Sequence, residues 1–281
     1  MVMRLQPPAV DSVALVTALV ADRQNGPNRD FFNGLAEEWR RRVRDFLDAR
    51  ANPPDVPTWP EADAASGRFH NLYLYPAEGQ AQTAVLQGLR AHRLNHCPGC
   101  GEPGKPNTLD HYLPKSVYPH FSVEPYNLFP MCDACQGLKA VKVGDADHAR
   151  FFLHPYFDAF LDSAVLRLTF IAPYRTPLHQ LDPHPNLSDD EARLVRKHAD
   201  ELQLQRRYGP YFEEAHLKLL KGVADMRAHG LDVRQGLGTF IVMAQAAGPN
   251  TWDSLFYAGV LADPNLIDWL ENGQLPDFIA S

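Results

Sequence analysis

The sequence predicts an α+β protein that is mainly helical, with one small module framed by paired cysteines. Three observations lead there. Apolar residues recur at helical spacing on both sides of the chain's middle. Strict apolar–polar alternation is clearest at one place, where Leu166, Leu168 and Phe170 are separated by Arg167 and Thr169. All four cysteines fall in two Cys-x-x-Cys pairs, Cys97/Cys100 and Cys132/Cys135.

A chain of 281 residues can form one large domain or two modest ones. Its 45% hydrophobic and 22% charged residues are ordinary for a soluble protein. No run of about 20 apolar residues is present, so no membrane span is expected. The apolar run from Val13 to Ala21 reads as a helix of the fold in preference to a signal peptide. No cysteine is left over for a disulfide framework, which suits a reducing cytoplasm. A formal charge of −7 argues against a free-standing protein that holds nucleic acid by bulk electrostatics. Any such contact must be local or shared with a partner.

Three regions are expected: a helical one over 1–95, the central module over 96–145, and a strand followed by helices over 146–281. In the first, Asp11 can cap a helix carrying Val13, Val16 and Val20. Phe32, Leu35, Trp39, Val43 and Phe46 define a second helix, and the Arg40–Arg44 cluster on it, mixed with Glu37, Glu38 and Asp45, reads as a solvated face. Prolines 53, 54, 57 and 60 predict a long surface loop, after which a helix from Ala81 to Leu94 leads into Cys97. The central module is rich in Pro and Gly, so short strands, turns and one short helix are expected there.

Beyond the strand at 166–170, the stretch from Pro173 to Pro185 reads as a connection, with His179 and His184 as surface histidines. Ser188 and Glu191 have the spacing of a capping box, ahead of a helix through Leu194, Val195, His198 and Leu202. Tyr211, Ala215, Leu219, Val223 and Met226 mark the next helix, stopped at Gly230. A third runs from about Asp232 to Gly248-Pro249. Short helices then follow around Trp252–Leu261 and Pro264–Leu270, the latter with Asp263 as cap and Pro264 in its first turn.

Four thiolates in two pairs can close a tetrahedral shell around Zn²⁺. The two-residue spacing turns both sulfurs of a pair inward on a tight knuckle, with Gly99 and Gly101 supplying backbone freedom. Four sulfur ligands leave no open position, so this zinc is expected to be structural. Between the knuckles stand Asp110 and His111, then Pro114, Asn127 and the segment Gln136–Lys139. Adjacent residues on an extended backbone point to opposite sides, so an Asp can bind a metal while the neighbouring His acts on a water.

This run of residues, Asp110-His111-x-x-Pro114-Lys115-Ser116, then Asn127, then Leu128-x-Pro130-x-Cys132-x-x-Cys135 and Lys139, resembles the HNH or ββα-metal nucleases. The resemblance covers Cys97 to Val143, about a sixth of the chain. It implies a small ββα-metal module in which His111 is the general base and Asp110 ligates a divalent metal. Asn127 would hold the loop carrying His111 in shape, and Lys139 would steady the scissile phosphate. The third motif position falls on Gln136, where the family usually has Asn or His as a metal ligand. His120, Asp133, His148 and His154 lie close enough in sequence to be considered as additional ligands. Hard oxygen donors such as Asp110 and an amide suit Mg²⁺ or Mn²⁺ better than zinc.

The expected activity is metal-dependent phosphodiester hydrolysis, with DNA favoured over RNA as substrate. The long helical flanks resemble effector nucleases of bacterial anti-phage systems of the Septu type, which work with an ATPase partner. The competing expectation is a zinc-stabilised adaptor that has lost its catalytic metal and docks on another protein.

Overall fold

The structure is a computed structural model in which residues 3–277 are described. The outermost parts of the expected first and third regions, 1–2 and 278–281, lie outside the described residues. The chain packs as two units. One consists of Leu5–Asn95 and Lys105–Asp158, and the other gathers the described parts of Met1–Arg4, His96–Gly104 and Ala159–Ser281. The expected boundary at 95/96 falls where the chain passes from one unit to the other, whereas the one at 145/146 does not, the later passages being at 104/105 and 158/159. Residues 96–104 pack with the C-terminal helices, because Trp252 donates its indole N–H to Cys100 O at 2.7 Å and its backbone N–H to Gly101 O at 3.0 Å.

In the first of these units, helix α1 (Ser12–Ala21) starts where Asp11 accepts from the backbone N–H groups of Val13 and Ala14, both at 2.9 Å. Helix α2 (Arg29–Asp48) buries Phe32, Ala36, Trp39, Val43 and Phe46 along one stripe. On its exposed face Arg41 pairs with Glu38 and Asp45, each at 2.6 Å, and Arg42 pairs with Glu38 at 2.7 Å.

The chain then departs from the expected long loop. Pro53–Asp55 is a single 3-10 turn, Val56 and Trp59 are buried, and Pro60 opens helix α3 (Pro60–Ala64), where its missing N–H removes nothing. Helix α4 (Ser66–Leu74) follows, and helix α5 (Ala81–Arg90) ends four residues before the expected Leu94. Strand β1 (Thr108–His111) pairs antiparallel with β2 (Leu128–Met131), with His111 opposite Leu128 and Asp110 opposite Phe129. Helix α6 (Asp133–Lys139) begins directly after β2.

An aromatic core fixes the segment between the two strands. Trp39 lies 5.1 Å from Phe69 and donates its indole N–H to His120 O at 2.9 Å. Phe46 packs on Phe121 at 4.7 Å, and Ser122 Oγ donates to Phe69 O at 2.7 Å. Each such buried aromatic contributes roughly 2–3 kcal/mol of transfer free energy. Helices α2 and α4 thereby hold residues 120–122 in one position.

In the other unit, strand β3 (Leu166–Ile171) buries Leu166, Leu168 and Phe170 and exposes the residues between them, as the alternation predicts. Its partner β4 (Leu178–Pro183) lies inside the stretch read as a connection, with Leu166 opposite Pro183 and Ile171 opposite Leu178. Polar residues and proline hid this strand, which draws its order from pairing.

Helix α7 (Asp189–Glu201) carries the full capping box of Ser188 and Glu191. Helix α8 (Leu204–Ala228) starts seven residues earlier than Tyr211 and contains Pro210 in its second turn. Asp232, Thr251 and Asp263 cap α9 (Val233–Gln245), α10 (Trp252–Ala262) and α11 (Pro264–Asn272) through side-chain oxygens. At Gly259 a Cβ would stand 2.9 Å from Leu168 Cβ, so glycine is what lets α10 lie against β3.

Candidate functional site

The Cys97–Cys100 turn is shaped by its own backbone, with Gly101 N–H donating to Cys97 O at 2.7 Å and Cys97 N–H to Glu102 O at 3.0 Å. Gly101 has φ of +72°, a conformation that glycine adopts without strain. His198 Nε2 meets Gly99 O at 2.8 Å, and Arg207, ion-paired with Glu102, lies 3.5 Å from Cys100 Sγ. The sulfurs of Cys97, Cys100, Cys132 and Cys135 all lie within 4.8 Å of one another. A Zn–S bond of about 2.3 Å places tetrahedral sulfurs about 3.8 Å apart, so this group can hold a metal such as zinc. Among the described residues no second group of three or more His, Cys, Asp or Glu side chains has that proximity.

Asp110 and His111 stand side by side on β1 and are committed in different directions. His111 is buried, and its Nε2 lies 2.9 Å from Ser122 O. A carbonyl only accepts, so Nε2 carries the proton and Nδ1 presents its lone pair. The Tyr73 ring meets the imidazole edge to face at 4.6 Å, while the Tyr73 hydroxyl donates to Leu109 O at 3.0 Å. Burial pushes the His111 pKa down to about 3. The Ser122 bond opposes this shift, and the charges of Lys115, Lys139 and His70 add to it. The ring is therefore neutral at pH 7, and the same burial weakens it as a base in the absence of other groups.

Asp110 is buried as well, and its Oδ2 has no hydrogen-bond partner of acceptable geometry. That oxygen lies 3.1 Å from Lys139 Nζ, and Oδ1 lies 3.5 Å from the side-chain nitrogen of Gln136. A buried carboxylate with one oxygen against an ammonium and the other near an amide offers the hard oxygen donors that a divalent cation takes. Rotating the Gln136 amide would turn its oxygen toward the same point.

Lys139 is 1% exposed and donates to His111 O at 2.6 Å. Burial lowers its pKa, partly offset by Asp110. The ammonium is thus committed to β1, which differs from the expected phosphate contact. Asn127, with no exposed surface, accepts from Leu113 N–H at 2.7 Å and donates to Leu113 O and Phe121 O at 3.0 and 3.2 Å. These bonds tie both ends of the 113–121 segment to the start of β2.

The other histidines considered as ligands lie elsewhere. His120 is buried between Trp59 and Phe121, and neither ring nitrogen has a hydrogen-bond partner. His154 packs on Tyr112 and Phe157, and His148 pairs with Asp145. Asp133 accepts from Asn107 at 2.5 Å in the first turn of α6. Tyr73 and His70, whose Nε2 meets Lys115 O at 2.6 Å, were missed because α4 was not expected. The spacing of Phe69, Leu72 and Tyr73 was the available signal.

Fold and site define a mainly helical α+β chain with two small antiparallel sheets and a four-cysteine group able to hold a metal. No described helix is long and apolar enough to cross a membrane. Protein ea31 of Escherichia phage lambda is 42% identical over 62 residues, covering 22% of this chain and 21% of that protein. The chain thus matches about a fifth of that relative's length. No family model matches the chain, and no solved structure matches it.

Proposed function

We propose that the protein is a metal-dependent endonuclease of the HNH type, hydrolysing phosphodiester bonds in DNA. The observation that carries this reading is the pairing on β1 of a neutral, oriented imidazole with a buried carboxylate whose Oδ2 lacks a hydrogen bond. His111 Nδ1 takes a proton from the attacking water as its oxygen bonds to phosphorus. The bond from phosphorus to the 3′ oxygen breaks, and the leaving oxygen is protonated from solvent. Asp110 and Gln136 would hold Mg²⁺ or Mn²⁺, which when bound supplies positive charge to the pentavalent transition state and the departing oxygen. Asn127 fixes the segment after His111, and Lys139 braces β1 through His111 O. The cysteines would carry a structural zinc. The acidic balance and long helical flanks fit an effector of anti-phage defence that receives its target through a partner such as an ATPase subunit.

The test is nicking of supercoiled plasmid with Mg²⁺ or Mn²⁺. Wild type is expected to nick, and His111→Ala to lose about 10²–10⁴-fold of the rate, the usual contribution of a positioned general base. A second reading is favoured by the 3.1 Å contact that already gives Asp110 a counter-ion in Lys139. On it, the chain is a zinc-stabilised adaptor without catalysis. Equal, metal-independent behaviour of wild type and variant, with or without a co-purified partner, would establish the adaptor.

A further inference from the structure

A cleft of 710 Å³ opens beside the site, with Tyr73, Arg90, His92, Lys105, Asn107 and Gln136 in its wall. Gln136 connects it to Asp110, and Tyr73 connects it to His111. The cleft is cationic in a chain whose formal charge is −7. The Arg90 guanidinium lies 5.4 Å from the centre of the Tyr73 ring, and Lys115 Nζ lies 5.6 Å from it. Arg90 and Lys105 are exposed, and neither they nor Lys115 has a carboxylate partner among the described residues. On α2, by contrast, Arg41 and Arg42 are both paired with Glu38. Burial holds His92 below its ordinary pKa, which leaves Arg90 and Lys105 as the permanent charges of the wall.

Unpaired cations on the wall of an open groove keep their full charge for a polyanion, and phosphate contacts of this kind position a strand without reading its sequence. We infer that this cleft is the track for the nucleic-acid strand, with Arg90 and Lys105 neutralising phosphates that flank the scissile bond. This rests on the nuclease reading and extends it to residues of α5 and of the loop before β1, which carry no part of the motif. It also meets the requirement set by the acidic composition that nucleic-acid contact be local.

The experiment is fluorescence anisotropy of a labelled 20-nucleotide DNA, single-stranded and duplex, titrated with the full chain in EDTA at several salt concentrations. Arg90→Gln and Lys105→Gln lie at exposed positions, and an unchanged melting temperature establishes that each variant is folded. The double variant is expected to bind at least tenfold more weakly at low salt. Its plot of log affinity against log salt should be shallower by about one unit for each cation replaced. Arg90→Lys should restore most of the affinity. Affinity of the folded double variant within twofold of wild type, or no binding by wild type at any salt, overturns the inference. Cleavage by wild type with binding insensitive to Arg90 and Lys105 would remove the cleft while keeping the nuclease. Binding that depends on both residues without cleavage in any metal would do the reverse.

Discussion

Lys139 decides how Asp110 behaves when no metal is bound. A carboxylate 6% exposed, whose Oδ2 has no hydrogen bond, is tolerated because an ammonium lies 3.1 Å away and is itself anchored on His111 O. Removing one partner of a buried ion pair leaves the other charge uncompensated, at a cost of about 3–5 kcal/mol. Lys139→Met is therefore expected to lower stability by about that amount in EDTA, as read by urea unfolding. On the proposed metal role of Asp110, a divalent cation would be its sole counter-ion in the variant, so Mn²⁺ should raise the melting temperature of Lys139→Met more than that of wild type. Equal shifts in the two proteins would mean that metal and lysine do not share this carboxylate.

The elements show which parts of the molecule could be read in advance. Helix starts were legible where a side-chain oxygen does the capping, as at Asp11, Ser188, Asp232 and Asp263, because that chemistry is local. Strand β3 was legible because one face is buried and the other wet. Helices α3 and α4 were not, since the prolines before them read as loop and Phe69 and Leu72 gain their meaning only from packing on α2 and the 119–121 turn. Strand β4 was hidden for the same reason. In the site, the motif spacing pointed to Asp110, His111, Asn127 and Gln136 and to the cysteines. The wall of the cleft, from Tyr73 through Arg90 to Lys105, is assembled by tertiary structure from three separate segments.

One local rule is broken at the end of α6. Ala140 has φ of +47° and ψ of −121°, a region glycine enters freely and alanine does not. Ala140→Gly should raise stability by about 1 kcal/mol, net of the greater freedom of glycine in the unfolded chain. Unfolding at equilibrium checks this, and a loss of stability would mean that the turn after Lys139 is held by contacts of the methyl group.

At the scale of the whole molecule, buried titratable groups set how stability follows pH, and they act with opposite signs. Burial holds His120 down at about 3 and His154 well below its ordinary value. Unfolding lets both take up protons near pH 6.5, so their contribution is complete above that pH and is lost as pH falls toward their folded values. Glu124 runs the other way. Burial raises its pKa to about 7, against hydrogen bonds from Ser12 Oγ at 2.6 Å and Tyr126 N–H at 3.2 Å. Its neutral form contributes fully below the unfolded value near 4.5, and that contribution disappears as pH rises through 7. Glu124→Gln keeps an oxygen for both donors and removes the charge. Wild type and variant should therefore have similar stability near pH 4.5, while at pH 8 the variant should be more stable by on the order of 3 kcal/mol, the free-energy equivalent of the pKa difference. Urea unfolding at pH 5, 6, 7 and 8 reads the divergence directly. Parallel profiles would show that folding does not raise the Glu124 pKa and that the bonds from Ser12 and Tyr126 offset its burial.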